Sequence, residues 1–197
     1  MKTNVTQERL GIVCIILFIA EVLLIVLSWL LSAMRLEGVR SLLSSEGVRW
    51  FLGSFSEMTG SPPLVWLLLL LSSFGCLHKS GVMYFRHNYR DRIALRTAVF
   101  LLLAYIVVIA LLTMAPHAIL LSATGELFPS AFSRSIIPLM AFGISLFGLV
   151  FGMMAGRLNS AGAILYALSF GISKGSSILV IYILLIQFYE SLRFVFG

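Results

Sequence analysis

The run from Leu10 to Met34 is 25 residues long and carries a single charged side chain, Glu21. About 20 apolar residues suffice to cross the hydrocarbon core of a bilayer as a helix. Sixteen of the 25 are Leu, Ile, Val or Phe. On an insertion scale they favour the membrane by roughly 5 to 10 kcal/mol, against roughly 2.5 to 3.5 kcal/mol for one central carboxylate. The span survives its charge. A secretory leader would have a shorter apolar core and a small-residue cleavage site, so a retained helix is expected.

The rest of the chain repeats the pattern. With 60% hydrophobic residues, 11% charged residues and a mean hydropathy of +1.05, the 197 residues do not describe a water-soluble domain. The expected fold class is an all-α integral membrane protein of five transmembrane helices plus one or two interfacial helices, in one membrane domain over 1–197. The spans are predicted at about 10–34, 63–82, 97–115, 136–156 and 176–192, with surface helices at about 36–52 and 159–172. Leu36, Val39, Leu42 and Leu43 fall on one face of the first surface helix. Ser61, Pro62 and Pro63 then stop one helix and open the next. Further on, Ser173, Lys174 and Gly175 read as a turn before the last span.

Orientation follows from the basic residues. His78 to Arg96 (HKSGVMYFRHNYRDRIALR) holds Lys79, Arg86, Arg90, Arg92 and Arg96 between two apolar segments. Short basic loops remain cytoplasmic. Five spans with the amino terminus inside put nine Lys and Arg inside and five outside. The net charge of +6 sits beside apolar spans rather than in a basic stripe with interleaved aromatics, so nucleic acid is not an expected partner. The lipid bilayer is.

Glu21 supports two readings: a proton or cation site, or a structural carboxyl bonded to Ser, Tyr or backbone of a neighbouring helix or facing a dimer axis. His78, Lys174 and Gln187 are the other candidate intramembrane or interfacial polar residues. His78, His87 and His117 sit at membrane edges, where lone histidines are polar anchors more often than ligands. Gly148, Gly152 and Gly156, spaced by four, predict a flat helix-packing face, with a partner in the same chain favoured over a second copy. Cys14 and Cys76 lie in apolar runs as packing residues. The chain has no HExxH, no paired-carboxylate arrangement and no phosphate-cradling glycine loop. Neither catalysis, nor a metal, nor a cofactor is expected.

Two blocks carry a resemblance. SLLSSEGVRWFLGSF (Ser41 to Phe55) is followed by SPPLVWLLLLLSSFGCLHKSGV (Ser61 to Val82). After Arg92-Ile93-Ala94-Leu95-Arg96 comes Ala110 to Leu158, with Thr124-Gly125-Glu126, Ser130 and Ser135-Ile136-Ile137-Pro138-Leu139, continuing to Gln187-Phe188. In this order the pieces resemble the aminobenzoyl-glutamate transporter (AbgT) family, with His78 where the family tends to have Glu. Full members insert re-entrant hairpins and further spans that form their transport domain. The resemblance therefore covers the scaffold helices, which in the family form the dimer, and it transfers no substrate-binding residue. It implies a dimeric accessory or scaffold subunit, pairing with itself or with a separate transporter chain. The alternatives are a self-contained minimal transporter of aminobenzoyl-glutamate or sulfonamide-like compounds, and a remnant with a new membrane role.

Overall fold

The computed structural model describes residues 3–35, 38–60, 62–84, 88–114 and 131–197, without the side chains of 3–6, 114 and 131. Among the described residues every regular element is a helix. In chain order these are α1 (Thr3–Ala33), α2 (Ser45–Gly53), α3 (Phe55–Thr59), α4 (Pro62–Ser80), a 3-10 turn (Val82–Tyr84), α5 (Tyr89–Met114), α6 (Ala131–Met154) and α7 (Ala161–Phe196). Five of them, α1, α4 with its 3-10 turn, α5, α6 and α7, are long and apolar enough to cross a membrane. By length and composition this is a multi-pass membrane design. Leu36, Glu37, Ser61, Arg86, His87, Pro116, His117, Thr124-Gly125-Glu126 and Ser130 lie outside the described residues, as do Met1 and Lys2.

The helix boundaries depart from the expected ones in three places, each for a local reason. The surface helix predicted over 36–52 is shorter, because 39–44 is not helical and α2 begins only at Ser45. Serine side chains take the backbone bonds that a helix would use. Ser41 Oγ accepts from Leu43 N at 3.2 Å, and Ser44 Oγ donates to Ser41 O at 2.7 Å and caps Gly47 N at 3.0 Å. Leu42 and Leu43 consequently do not share a face: Leu42 is 3% exposed and Leu43 is 55% exposed.

The second departure is α5, which begins at Tyr89 rather than near 97. Much of the basic segment is therefore helix, with Asp91 in its first turn where a negative charge meets the positive end of the helix dipole. Similarly, α6 starts at Ala131 and stops at Met154.

The third departure is the largest. No turn interrupts Ser173-Lys174-Gly175, and one 36-residue helix replaces the predicted surface helix and last span. At about 1.5 Å per residue α7 is about 54 Å long, beyond the roughly 30 Å of a hydrocarbon core, so it tilts or extends past the apolar layer.

The chain divides into two compact units, Met1–Val65 with Ser176–Gly197, and Trp66–Gly175. In the first, α1 and the end of α7 run parallel: Glu21 meets Ser191, and Leu24 joins Leu42 and Val195 in a core bordered by Ile25, Trp50, Phe188 and Phe194. Ser28, fully buried, ties the following turn to α1 by accepting from Leu42 N at 3.1 Å. Trp50 stacks on Phe194 at 4.4 Å, and Arg40 N caps Val195 O at 3.0 Å.

In the second unit α4 runs parallel to α6 and antiparallel to the start of α7, while α5 and α6 are antiparallel. Ser73 Oγ donates to Ala141 O at 2.7 Å, Tyr105 Oη donates to Leu139 O at 2.9 Å, and Ala94, Ala98 and Phe151 form a buried cluster. The directions within each unit are those that alternating spans require.

Candidate functional site

Of the four candidate polar residues, two come to one seam in the first unit. Glu21 projects from α1 and accepts a hydrogen bond from Ser191 Oγ at 2.7 Å. Gln187 lies one helical turn before Ser191 on α7 and is 6% exposed. Ser191 and Val195 are fully buried on the same stripe, so residues 187, 191 and 195 present the face that α1 covers. Glu21 Oε2 and both amide atoms of Gln187 are buried without a hydrogen-bond partner. Each such group costs about 1–3 kcal/mol. The Ser191 bond follows the structural reading of Glu21; the three unpartnered atoms beside it are what a proton or cation reading would start from. Ser191 was missed by sequence reasoning, although its spacing of four from Gln187 was the available signal.

The other two candidates belong to the second unit. His78 stacks on Phe170 at 5.2 Å and 23°, and its Nδ1 is buried without a partner. Lys174 lies over the same ring, 6.0 Å from its centroid, and Lys79 lies closer, at 4.1 Å. Lys174 is therefore a helical residue beside an aromatic face rather than part of a turn. Cationic groups over such faces gain about 0.5–2 kcal/mol.

Of the three glycines predicted to make one packing face, Gly148 and Gly152 face α4 of the same chain and Gly156 does not. Gly148 lies flat against α4, where a Cβ would stand 3.1 Å from Cys76 C and Leu77 N. Gly152 accommodates Leu158, with a Cβ 2.6 Å from its Cδ1 and 3.3 Å from Ser80 Cα. Gly156 is not on the helix at all. It adopts φ +74° past the end of α6, with its N–H on Met153 O at 3.0 Å and Arg157 N on Gly152 O at 2.8 Å. This is the left-handed glycine cap that terminates a helix, a position where a Cβ is penalised.

A tighter packing face was not anticipated. Gly171 on α7 meets Gly75 on α4 so closely that a Cβ at Gly75 would stand 2.5 Å from both Ala167 O and Gly171 N. Gly175 receives Leu71, whose Cδ1 would be 2.8 Å from a Cβ. Ala167, Gly171 and Gly175 share the spacing of four that marked α6, and close approach of backbones is what small residues permit in lipid. Gly171, with Gly175 that reads from sequence as part of a turn, is the reason α4 can lie against α7.

At one end of this unit two arginines cap two helices. Arg157 Nη1 donates to Ser80 O at 3.0 Å and its Nη2 pairs with Asp91 Oδ2 at 3.1 Å, while Arg90 Nε donates to Met154 O at 3.3 Å. Guanidinium groups at helix C-termini offset the negative end of the dipole. Among the described residues no group of three or more His, Cys, Asp or Glu is placed to hold a metal ion, and Cys14 and Cys76 are both free thiols.

These features are those of an all-helical protein, among the described residues, with five helices long and apolar enough to cross a membrane and with polar groups at helix contacts. Comparison of the chain with protein-family models, with curated proteins and with solved structures gives no match.

Proposed function

We propose that the chain is a scaffold or accessory subunit of an inner-membrane transporter, acting as a homodimer or against a separate transporter chain, with its amino terminus and the His78 to Arg96 segment cytoplasmic. The observation that carries this reading is the continuity of the long helices. Substrate sites of transporters with internal repeats are built from discontinuous helices near the midplane, where free backbone groups meet the substrate. The one break predicted in this sequence falls inside the unbroken α7. Polar side chains within the spans are used between helices: Ser191 with Glu21, Ser73 with Ala141, and Ser145 with Ser73 at 3.0 Å. The resemblance of the sequence to scaffold helices of aminobenzoyl-glutamate transporters supports the same role. For the orientation, the support is the distribution of Lys and Arg, eight inside to five outside once Lys174 is set aside within α7. It gains from the contacts of Arg157 with Asp91 and of Arg90 with Met154, which gather basic residues from separate connections at one end.

A second reading, a self-contained minimal transporter, draws on the buried unpartnered atoms of Glu21 and Gln187. One experiment separates the two. Purified protein in liposomes, given labelled aminobenzoyl-glutamate under proton and sodium gradients, is expected to accumulate none. Crosslinking in native membranes is expected to trap a dimer of the chain or its complex with a second transporter chain. Gradient-driven uptake that Glu21→Gln abolishes would overturn the scaffold reading.

A further inference from the structure

The second unit carries a polar cavity that the scaffold reading does not use. It measures about 420 Å³ and is lined by His78, Lys79, Gly81, Tyr84 and Arg157, at the end where α4 stops. That volume lies within the roughly 300–1,000 Å³ of small-ligand sites. Positive charge there is not balanced. Among the described residues near this end stands one acidic residue, Asp91, against Lys79, Arg90, Arg92, Arg96 and Arg157. Asp91 Oδ2 is engaged by Arg157. Lys79 Nζ sits over the rings of Phe170 and Tyr166 at 4.1 and 4.7 Å, which attract a cation without neutralising it.

Two features would oppose an anion in this place: the negative end of the α4 dipole and the carboxylate of Asp91. Arg157 offsets both, because its Nη1 covers Ser80 O and its Nη2 pairs with Asp91, which leaves the Lys79 ammonium as the charge without a carboxylate beside it among the described residues. The guanidinium is held in place by its surroundings. Gly81 adopts φ +75° and lies so close that a Cβ on it would stand 2.9 Å from Arg157 Cζ, and Arg157 Cζ also lies 5.5 Å over the Phe151 ring. A fixed guanidinium, a lysine ammonium, a tyrosine and a histidine around one polar cavity form a phosphate-recognising set. Basic pockets between spans at the cytoplasmic side are where anionic lipid head groups bind.

We propose that this cavity binds a phosphate group, with Lys79 and Arg157 as its charged contacts. An anionic phospholipid and free phosphate offer the same chemistry, and the assay distinguishes them. Purified full-length protein in neutral detergent is titrated with short-chain phosphatidylglycerol, short-chain phosphatidylcholine and inorganic phosphate, with binding read by native mass spectrometry and by melting temperature. Phosphatidylglycerol is expected to bind and to raise the melting temperature, while phosphatidylcholine does neither. If inorganic phosphate binds as tightly as phosphatidylglycerol, the ligand is free phosphate; if it does not, the ligand is the lipid head group.

Lys79→Gln is expected to weaken binding about tenfold, the loss of one charge-assisted contact. Arg92→Gln removes an equal charge from the same segment without touching the cavity, and should stay within about twofold of the parent, as for an exposed charge. Lys79→Arg, which keeps charge and bulk, should bind like the parent and guards against a folding defect in the glutamine variant. Equal losses in Lys79→Gln and Arg92→Gln would mean diffuse attraction and overturn the site, as would equal binding of phosphatidylcholine.

Discussion

Substituting Gly171 by alanine adds one methyl group at the point where α4 and α7 come closest. The new Cβ would enter the space of the Leu71 carbonyl, 2.7 Å from its carbon and 2.8 Å from Gly75 N, where ordinary contact begins at 3.4 Å. Both obstacles are backbone, so no rotamer change relieves them, and the helices must part. A gap of about 0.5–1 Å already forfeits roughly a quarter to a half of each dispersion well along the crossing. Overpacking of this kind costs about 1–3 kcal/mol, and the rigid neighbours place Gly171→Ala near the upper end. Replacing a mid-helix glycine by alanine returns up to about 1 kcal/mol of helix propensity, leaving a net loss of about 2 kcal/mol. Gly11→Ala is the control: Gly11 lies inside α1 with nothing within 4 Å of its Cβ position, so only the propensity gain applies. Reversible unfolding in mixed micelles with rising dodecyl sulfate, followed by tryptophan fluorescence, should separate the two variants by about 3 kcal/mol. Gly171→Ala as stable as Gly11→Ala would refute the close crossing of α4 and α7.

Other expectations follow from single contacts. Ser191→Ala removes the donor to Glu21 and should lower stability by about 1–2 kcal/mol in the same assay; paired with Glu21→Gln it should show less than additive loss. Asp91→Asn, at a carboxylate 8% exposed beside Arg157, should cost about 2 kcal/mol, with a coupling energy to Arg157→Gln in a double-mutant cycle. Gly152→Leu meets Leu158 and Ser80 Cα, whereas Gly143→Leu meets first a movable Tyr105 ring, 3.1 Å away; melting temperatures should fall further for the former. A cysteine in place of Asn88 should react with a membrane-impermeant maleimide from the cytoplasmic side alone, and labelling confined to the outer side would reverse the proposed orientation.

Much of the architecture was legible because transfer from water to hydrocarbon is nearly additive along the chain. Five apolar stretches of sufficient length and the Pro62-Pro63 helix start can be read residue by residue. The position of five long helices needs no knowledge of neighbours, and five helices of that kind are present. Glycine resisted this treatment. Gly148, Gly156, Gly171 and Gly175 are identical in sequence terms, and local propensity marks all of them as helix-weakening. Only the tertiary structure separates a flat contact at Gly148, a left-handed cap at Gly156, and the close crossing at Gly171 and Gly175 within the unbroken α7.

The polar residues divide in the same way. That a carboxylate at position 21 must be accommodated inside a span was set by its apolar surroundings alone. That Ser191 accommodates it, with Gln187 one turn away, depended on α1 and α7 lying parallel although 170 positions separate the bonded pair. Likewise, the excess of basic residues around 78–96 was visible as composition, whereas the cavity of Lys79, Tyr84 and Arg157 exists only because α4 and α6 end where α5 begins. Hydrophobicity is a sum over single residues and is fixed by the sequence; a hydrogen bond or a cavity is a relation between distant residues, and packing decides it.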